Sequence, residues 1–499
     1  MKRLIRITTV VLIAVMLLPM AVACAETTPT AETTAPVVTE APAGSVEETT
    51  AEETFYAASN IPSDLRFDGT TVNILYWDDH PNVEFFVEDQ NGEAVNDAIF
   101  RRNAKVQEQF GIELEFTGTP GSNPKMAEFV NVCVNNTQSG ADACDIFAGY
   151  SMTGATLTTE GVTQNLAEYE YMEFDKPWWP SSLISKATIH DGVYFASGDI
   201  STNYLHMMYC CMFNKQMMID IHGAQPEAIY DLVYDGQWTL DKFIEYTNGV
   251  YMDQDNDNTA SAGDRYGLVV TNVHFDPFYS GSDLNVLEAD ENGEFYLSPD
   301  LYSEKTVDLL GKLCALLHDS GESYIKESVP IFAADNALFL VDRACIPATH
   351  LSEVEFAFGM LPIPKYDADQ DMYYTCLSFG YTMYMLSAAA SDPDAAAATI
   401  ELMAYQSYIN VTPAIFEESM KLRYADQSDD AFMFDKIREG VVIDIGRLFT
   451  TQLDKMSYSI FRNAANTNGA GSYTSTRKAY EKTLGKKIDD INETLKKLG

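Results

Sequence analysis

Cations are scarce in this chain. Lys and Arg together number 32 against 74 Asp and Glu, a net charge of −42 over 499 residues. A surface of that sign repels phosphate backbones, which argues against nucleic acid and against anionic ligands drawn in by a long-range field. It fits a neutral or cationic ligand, or a surface kept soluble by charge alone. Histidine is rare too, at seven residues, and none sits in an H-E-x-x-H frame. The nucleophile elbow G-x-S-x-G and the phosphate loop G-x-x-x-x-G-K-[ST] are both missing. Paired carboxylates suited to a glycosidase can be drawn anywhere among so many acids, so their presence carries no weight. The cysteines Cys133, Cys144, Cys210, Cys211, Cys314, Cys345 and Cys376 never reach C-x-x-C spacing, which argues against zinc and leaves buried free thiols as the expectation. Beyond residue 23 no apolar run reaches the length of a membrane span.

What is present begins with an address. Lys2, Arg3 and Arg6 precede a short apolar stretch from Val10 to Ala23, the pattern of an export signal over residues 1–23. Cys24 follows Ala-Val-Ala and resembles a bacterial lipobox, with Ala21 where Leu is usual. Cleavage after Ala23 by an ordinary signal peptidase is the alternative. Residues 24–65 are mostly Thr, Ala, Pro and Glu, and up to Glu53 they hold neither Lys nor Arg nor an aromatic residue. Such a segment buries no core and reads as a disordered tether. A tether favours lipidation of Cys24 and a place on the outer face of the cell membrane, where two or more acyl chains give a stable anchor.

From Arg66 onward the composition is globular, and about 430 residues exceed a single core, so two lobes are expected. Val72–Tyr76 reads as a strand and Asp97–Phe110 as a helix, with Ile99, Val106 and Phe110 on one side. Gly111–Phe116 alternates as a strand, Lys125–Thr137 is helical, and Asp145–Ala148 is a short buried strand opening into Gly149-Tyr150. This β-α-β-α-β order predicts a parallel α/β lobe with ligand groups beyond the carboxyl ends of its strands.

The stretch Tyr230–Gly267 carries two signals. Thr239 is a good N-cap, Asp241 lies in the first turn, and Leu240, Phe243, Ile244, Thr247 and Tyr251 recur at helical spacing. Asp253, Asp255 and Asp257 then alternate, with Thr259 two further on and Asp264 at the twelfth place. That approaches a calcium loop, in which carboxylates converge because a hard cation takes about 6–8 oxygens. Asn258 stands where such loops have Gly, and Asp264 replaces the long bidentate Glu. A structural Ca2+ and a solvated acidic turn are both open on these residues.

The order of several segments resembles an extracellular solute-binding protein of an ABC importer, in the maltose-binding-protein-like group. They are Tyr76-Trp77, the run NDAIFRRNAKVQEQFGIELEF, DIFAGY, YFASGDIS, Phe213-Asn214-Lys215, WTLDKF, FAFGMLPIP from Phe356 to Pro364, and Tyr373–Tyr381. The resemblance implies a two-lobed α/β periplasmic-binding-protein-like fold of type II, its lobes joined by strand crossovers around a ligand cleft. It places the first lobe in 66–205 with a return segment at 365–405, and the second lobe in 206–364. The span 406–499 goes with the second lobe and its C-terminal helices. It further implies a monomeric receptor, a neutral solute such as a sugar or oligosaccharide, and permease subunits as partners. Trp77, Tyr150, Trp178 and Trp179 are candidates to stack on a sugar ring, and Asp199 to accept its hydroxyls. Arg343, Tyr458 and Arg462 are further candidates, and ordinary packing competes for every one of these residues. The rival readings are a secreted glycan-active hydrolase and a calcium-dependent adhesion module.

Overall fold

The computed structural model describes residues 57–140, 143–416 and 428–498; the export signal, Cys24 and residues 24–56 of the tether lie outside them. In the first lobe β1 (Thr71–Trp77), β2 (Glu113–Thr119) and β3 (Ile146–Tyr150) run parallel, with β1 between the other two. Helices Ala94–Phe110 and Met126–Ser139 make the crossovers. The first of these buries Val95, Ala98, Ile99, Arg102, Val106 and Phe110, the stripe of one helical face. It stops at Gly111, which takes the left-handed cap conformation at φ 68°, so β2 begins at Glu113 rather than at the glycine.

A short hairpin of β4 (Thr188–Ile189) and β5 (Gly192–Val193) precedes the first crossing. β6 (Tyr209–Asn214) and β7 (Tyr266–Val269) open the second lobe, and β8 (Leu287–Ala289) with β9 (Phe295–Leu297) forms a separate hairpin. β10 (Ser323–Tyr324), β11 (Ala337–Arg343) and β12 (Phe358–Leu361) complete the second sheet in the order β10-β7-β11-β6-β12. β6 and all of β11 but Arg343 are buried, as strands covered on both faces require. β13 (Thr382–Leu386) then returns antiparallel to β3 and gives the first sheet the order β13-β3-β1-β2.

The helix after Asp235-Gly236 forms as its cap suggests. The Thr239 hydroxyl accepts from the Lys242 N–H, and Leu240, Phe243 and Thr247 are buried. It ends at Thr247, ahead of Gly249 at φ 80°, so Tyr251 lies beyond it. Trp238, just before the cap, is buried and donates its indole N–H to the Pro362 carbonyl at 3.0 Å. Among the described residues no helix is long and apolar enough to cross a membrane, and the seven cysteines named above are buried and unpaired.

After β13 the chain stays with the first lobe longer than its sequence suggests. Helix Pro393–Gln406 packs on β13 and on helix Ala94–Phe110. Ser407–Val411 and helix Thr412–Phe416 also lie against helix Ala94–Phe110, and the buried Arg102 reaches Ser407 Oγ at 3.4 Å. The return to the second lobe therefore comes after Phe416, not at 406.

Glu401 is the buried acid of that returning helix, with no exposed surface. Its Oε1 accepts the Trp178 indole N–H at 2.7 Å, and its Oε2 accepts that of Trp179 at 2.8 Å and the Glu173 backbone N–H at 3.2 Å. Burial pushes its carboxyl up to about 7, against the pull of those donors. Because this value exceeds the ordinary 4.5, the folded chain binds the proton more tightly than the unfolded one. The resulting stabilisation is complete below pH 4.5 and is lost as pH rises through 7. We expect the urea-unfolding free energy to fall by on the order of 3 kcal/mol across that window on account of Glu401. Glu401→Gln should remove this component, and an unaltered slope in that variant would contradict the assignment.

Candidate functional site

Side chains at the carboxyl ends of the parallel strands converge where the two lobes face one another. β1 ends at Trp77 and β3 at Tyr150, and their rings meet edge to face at 5.3 Å and 79°. Trp77 offers no open face. It is 1 % exposed and donates its indole N–H to Thr382 Oγ1 on β13 at 2.8 Å. Its role in this geometry is to set the position of Tyr150. Tyr150 lies within electrostatic reach of Tyr209, Tyr458 and Tyr381, and burial holds its hydroxyl in the neutral form.

The second lobe meets it with a set of paired charges. Tyr209 opens β6 opposite Arg343 at the end of β11. Arg343 is half-buried and its Nε donates to Asp342 Oδ1 at 3.0 Å. The same carboxylate oxygen lies 3.4 Å from His274 Nε2. Burial lowers the His274 pKa although Asp342 opposes it, so this imidazole is neutral at pH 7.

Asp276 opens the helix Asp276–Gly281, with Pro277 in its first turn. Its Oδ2 accepts from Arg447 Nη1 at 2.9 Å and its Oδ1 from Arg462 Nε at 2.8 Å. Arg447 also donates to the Leu377 carbonyl at 2.8 Å and stacks on the Phe379 ring at 4.1 Å. Arg462 stacks on Tyr458 at 4.1 Å, and the Phe379 and Tyr458 rings lie 5.4 Å apart. Asp444 places Arg447 by capping the helix Ile445–Leu448, its carboxylate accepting the Arg447 backbone N–H at 3.1 Å. Burial pushes Asp444 up to about 6. The result is a cleft of aromatic faces and hydrogen-bonding groups in which Arg343 is paired with Asp342, while Arg447 and Arg462 share Asp276. A narrow gap of about 20 Å³, room for roughly one water, remains among Asp276, Arg447, Ser457, Tyr458 and Phe461.

Tyr150, Arg343, Tyr458 and Arg462 thus gather at one place. Three other candidates do not. Trp178 and Trp179 are buried with both indole N–H groups on Glu401, so they pack the first lobe instead of facing a ligand. Asp199 is 4 % exposed, and both its oxygens accept from Arg438, at 3.2 and 3.1 Å. Arg438 belongs to helix Ser428–Glu439, which packs on β12, so this pair ties the first crossing to the second lobe. Tyr209, Asp276, Phe379 and Arg447 were not singled out by sequence. A signal that could have found Arg447 is an arginine set among apolar residues in a cation-poor chain.

The acidic loop departs from its expected ligand set in one respect. Asp253, Asp255 and Asp257 do converge, with a carboxylate oxygen of each within 4.8 Å of the others. Asn256 and Asn258, at φ 59° and 58°, turn the chain around them, the role a glycine usually fills. The Asp257 N–H bond favours the charged form of Asp255, but burial and the carboxylates of Asp257 and Asp253 raise its pKa. Asp264 does not join them. It is buried, and its two oxygens accept the backbone N–H groups of Gln254 at 3.0 Å and Ser261 at 2.8 Å. It closes the loop, not an ion shell. The Thr259 N–H donates to Asp257 Oδ1 at 2.6 Å.

No protein-family model matches this chain, and no curated protein matches its sequence. Solved structures do match. A cyclic alpha-maltosyl-1,6-maltose binding protein from Arthrobacter globiformis aligns over 84% of this chain and 99% of its own, at 13% identity and a TM-score of 0.57. UgpB from Mycobacterium tuberculosis, in complex with glycerophosphocholine, aligns over 82% and 99%, at 13% identity and 0.55. An ABC substrate-binding protein from Listeria monocytogenes, in complex with cycloalternan, aligns over 86% and 99%, at 14% identity and 0.51. The likeness is one of fold: this chain has the two-lobed α/β architecture of periplasmic-binding-protein-like receptors.

Asp276 is the point at which the cleft can be tested without knowing a ligand. Asp276→Ala would leave two largely buried guanidiniums without a counter-charge, a change that costs about 3–5 kcal/mol. Urea unfolding at neutral pH should show a loss of that size, and a loss under about 1 kcal/mol would mean that the arginines re-pair elsewhere.

Proposed function

We propose that this chain is the extracellular substrate-binding receptor of an ABC importer, and that it captures a neutral solute, in the first place a carbohydrate. The observation that carries the reading is the interlobe cleft. Its rings, Tyr150, Phe379 and Tyr458, suit the apolar faces of a sugar, and its arginine–aspartate pairs offer fixed donors and acceptors without a large net charge. The fold shared with receptors that hold cyclic maltosides or glycerophosphocholine supports it. Binding, not turnover, is the activity such a cleft serves, with the lobes closing on the solute to present it to permease subunits.

Attachment at the outer face of the membrane through a lipidated Cys24 belongs to the same proposal, supported by the Thr/Pro/Glu-rich segment that follows it. Cys24→Ala should shift the protein out of the membrane fraction. A Ca2+ ion held by Asp253, Asp255 and Asp257 also belongs to it, as a structural ion that offsets the repulsion among three neighbouring carboxylates. The donor set fits a hard cation, with the remaining oxygens left to backbone carbonyls and water.

A thermal-shift panel of mono- and oligosaccharides tests the main claim, because any ligand of the folded state raises the melting temperature by mass action. A hit should recur in calorimetry, leave the sugar chemically unchanged, and weaken about tenfold or more in Tyr458→Ala. Product accumulating in proportion to protein would favour a hydrolase instead. For the acidic loop, Ca2+ added to chelator-treated protein should raise the melting temperature, and Asp255→Ala should abolish most of the rise. A chelator without effect at low ionic strength, where the acids repel most strongly, would leave a solvated turn.

A further inference from the structure

Acid is missing from one long stretch of this acidic chain. Between Lys455 and Ile488 the only Asp or Glu is Glu481, while Arg462, Arg477, Lys478, Lys482, Lys486 and Lys487 all fall there. About one residue in seven is acidic over the whole chain, so a gap of this length sets the stretch apart. Most of it forms two helices in contact, Met456–Asn466 and Tyr473–Leu495. The first carries Tyr458 and Arg462 to the cleft.

The second helix has two unlike faces. Leu484, Ile488, Ile491 and Leu495 recur at helical spacing and are buried. Asn492 fastens this side to β9: its Oδ1 accepts the Phe295 N–H at 2.9 Å, and its Nδ2 donates to the Phe295 carbonyl at 2.9 Å. Lys487 pairs with Asp454 at 2.7 Å. Lys478, Lys482 and Lys486 stand on the side opposite the buried stripe, four residues apart and so one above another. All three are exposed, and none forms an ion pair or a side-chain hydrogen bond with a described residue. Ser475 and Ala479, on the same side, add neither bulk nor charge. Exposed lysines in other parts of the fold are treated differently: Lys105, Lys125 and Lys242 each meet a glutamate three residues on.

We propose that this lysine row is a docking surface for anionic lipid headgroups, on the membrane to which a lipidated Cys24 would hold the chain. A body of net charge −42 is repelled by such a surface wherever its acids face it, and the row gives it a face that is drawn in instead. A lysine close to an anionic bilayer contributes about a fivefold gain in binding, so three make a weak attachment on their own. An anchored chain meets the bilayer at high effective concentration, and there a weak contact is enough to set which way the receptor lies. Thr476 and Tyr480 face helix Met456–Asn466 across a small cavity, on a different side of their helix from the lysines. The row therefore points away from the helix that serves the cleft. The inference rests on the outer-face attachment proposed above, from which it takes its partner.

The test is co-sedimentation with vesicles of phosphatidylglycerol and phosphatidylcholine in equal parts, against vesicles of phosphatidylcholine alone. It uses the mature chain carrying Cys24→Ala, which has no acyl chain to hold it to lipid. At low ionic strength this chain should bind the anionic vesicles at least about tenfold more tightly, and salt at about 0.15 M should weaken the preference. Lys478→Gln, Lys482→Gln and Lys486→Gln combined should abolish it while leaving the melting temperature unchanged, since all three side chains are exposed. Lys105→Gln, Lys125→Gln and Lys242→Gln combined remove the same charge from other surfaces and should keep it. No preference for anionic vesicles in the chain with its lysines intact would overturn the proposal, as would a control variant that loses as much as the row variant. Retention on immobilised polyphosphate without any vesicle preference would overturn it too, and would give the row to a soluble polyanion. The anchor is read separately, from the membrane fraction of cells making Cys24→Ala, so its failure and that of the lysine row are told apart.

Discussion

Asp276 holds two arginines at the place where the lobes meet, in a chain that has few cations to give. A buried carboxylate without a partner is costly, and a buried pair is stable only when its remaining hydrogen-bonding capacity is met. At several other buried carboxylates the protein meets that demand without cations. Glu401 takes two indole N–H groups and a backbone N–H. Asp145 takes the backbone N–H groups of Asn73 and Ser391, at 2.8 and 2.7 Å. Glu84 takes Asn203 and the Tyr384 hydroxyl, and Glu322 takes Gly249, Val250 and Tyr251. The excess of acid is thus partly structural, with carboxylates acting as caps and staples for loops and crossings. Asp276 stands apart because two guanidiniums converge on it.

That concentration leaves the cleft polar while its charges stay paired. Hydrogen bonds to charged groups are stronger than those between neutral ones, so pre-paired ions are good donors and acceptors for hydroxyls. The stacked Phe379 and Tyr458 rings hold the guanidiniums flat. Tyr150 and its Trp77 support come from the opposite lobe, so the site is assembled only when both lobes contribute.

Much of the first lobe was legible in the chain itself. Its strands and helices carry clean periodicities and its helix ends carry glycines, which are local signals. The cap at Thr239 and the convergence of Asp253, Asp255 and Asp257 are local too, and both are found in the structure. What failed to show was long-range pairing. Trp178 and Trp179 read as ligand aromatics because Glu401, which claims both indoles, lies 223 and 222 residues further on. Asp199 is claimed by Arg438 across 239 residues, and Asp264 fits a ligand position in a linear pattern while its oxygens serve the loop backbone. The cleft itself joins Tyr150, Asp276, Phe379 and Arg447, and no spacing rule links positions so far apart.

The four tryptophans occupy three separate environments, and this gives the protein a built-in optical map. Trp77 touches Tyr150 at the cleft, Trp178 and Trp179 share the Glu401 carboxyl, and Trp238 is tied to Pro362 in the second lobe. An indole beside a carboxyl emits differently as the proton comes and goes, whereas one packed in a lobe core does not. Intrinsic emission from this chain is therefore a sum over three sites, of which only the first-lobe pair follows acidity through Glu401. Only at a pH where Glu401 no longer titrates is the signal left to Trp77 and Trp238.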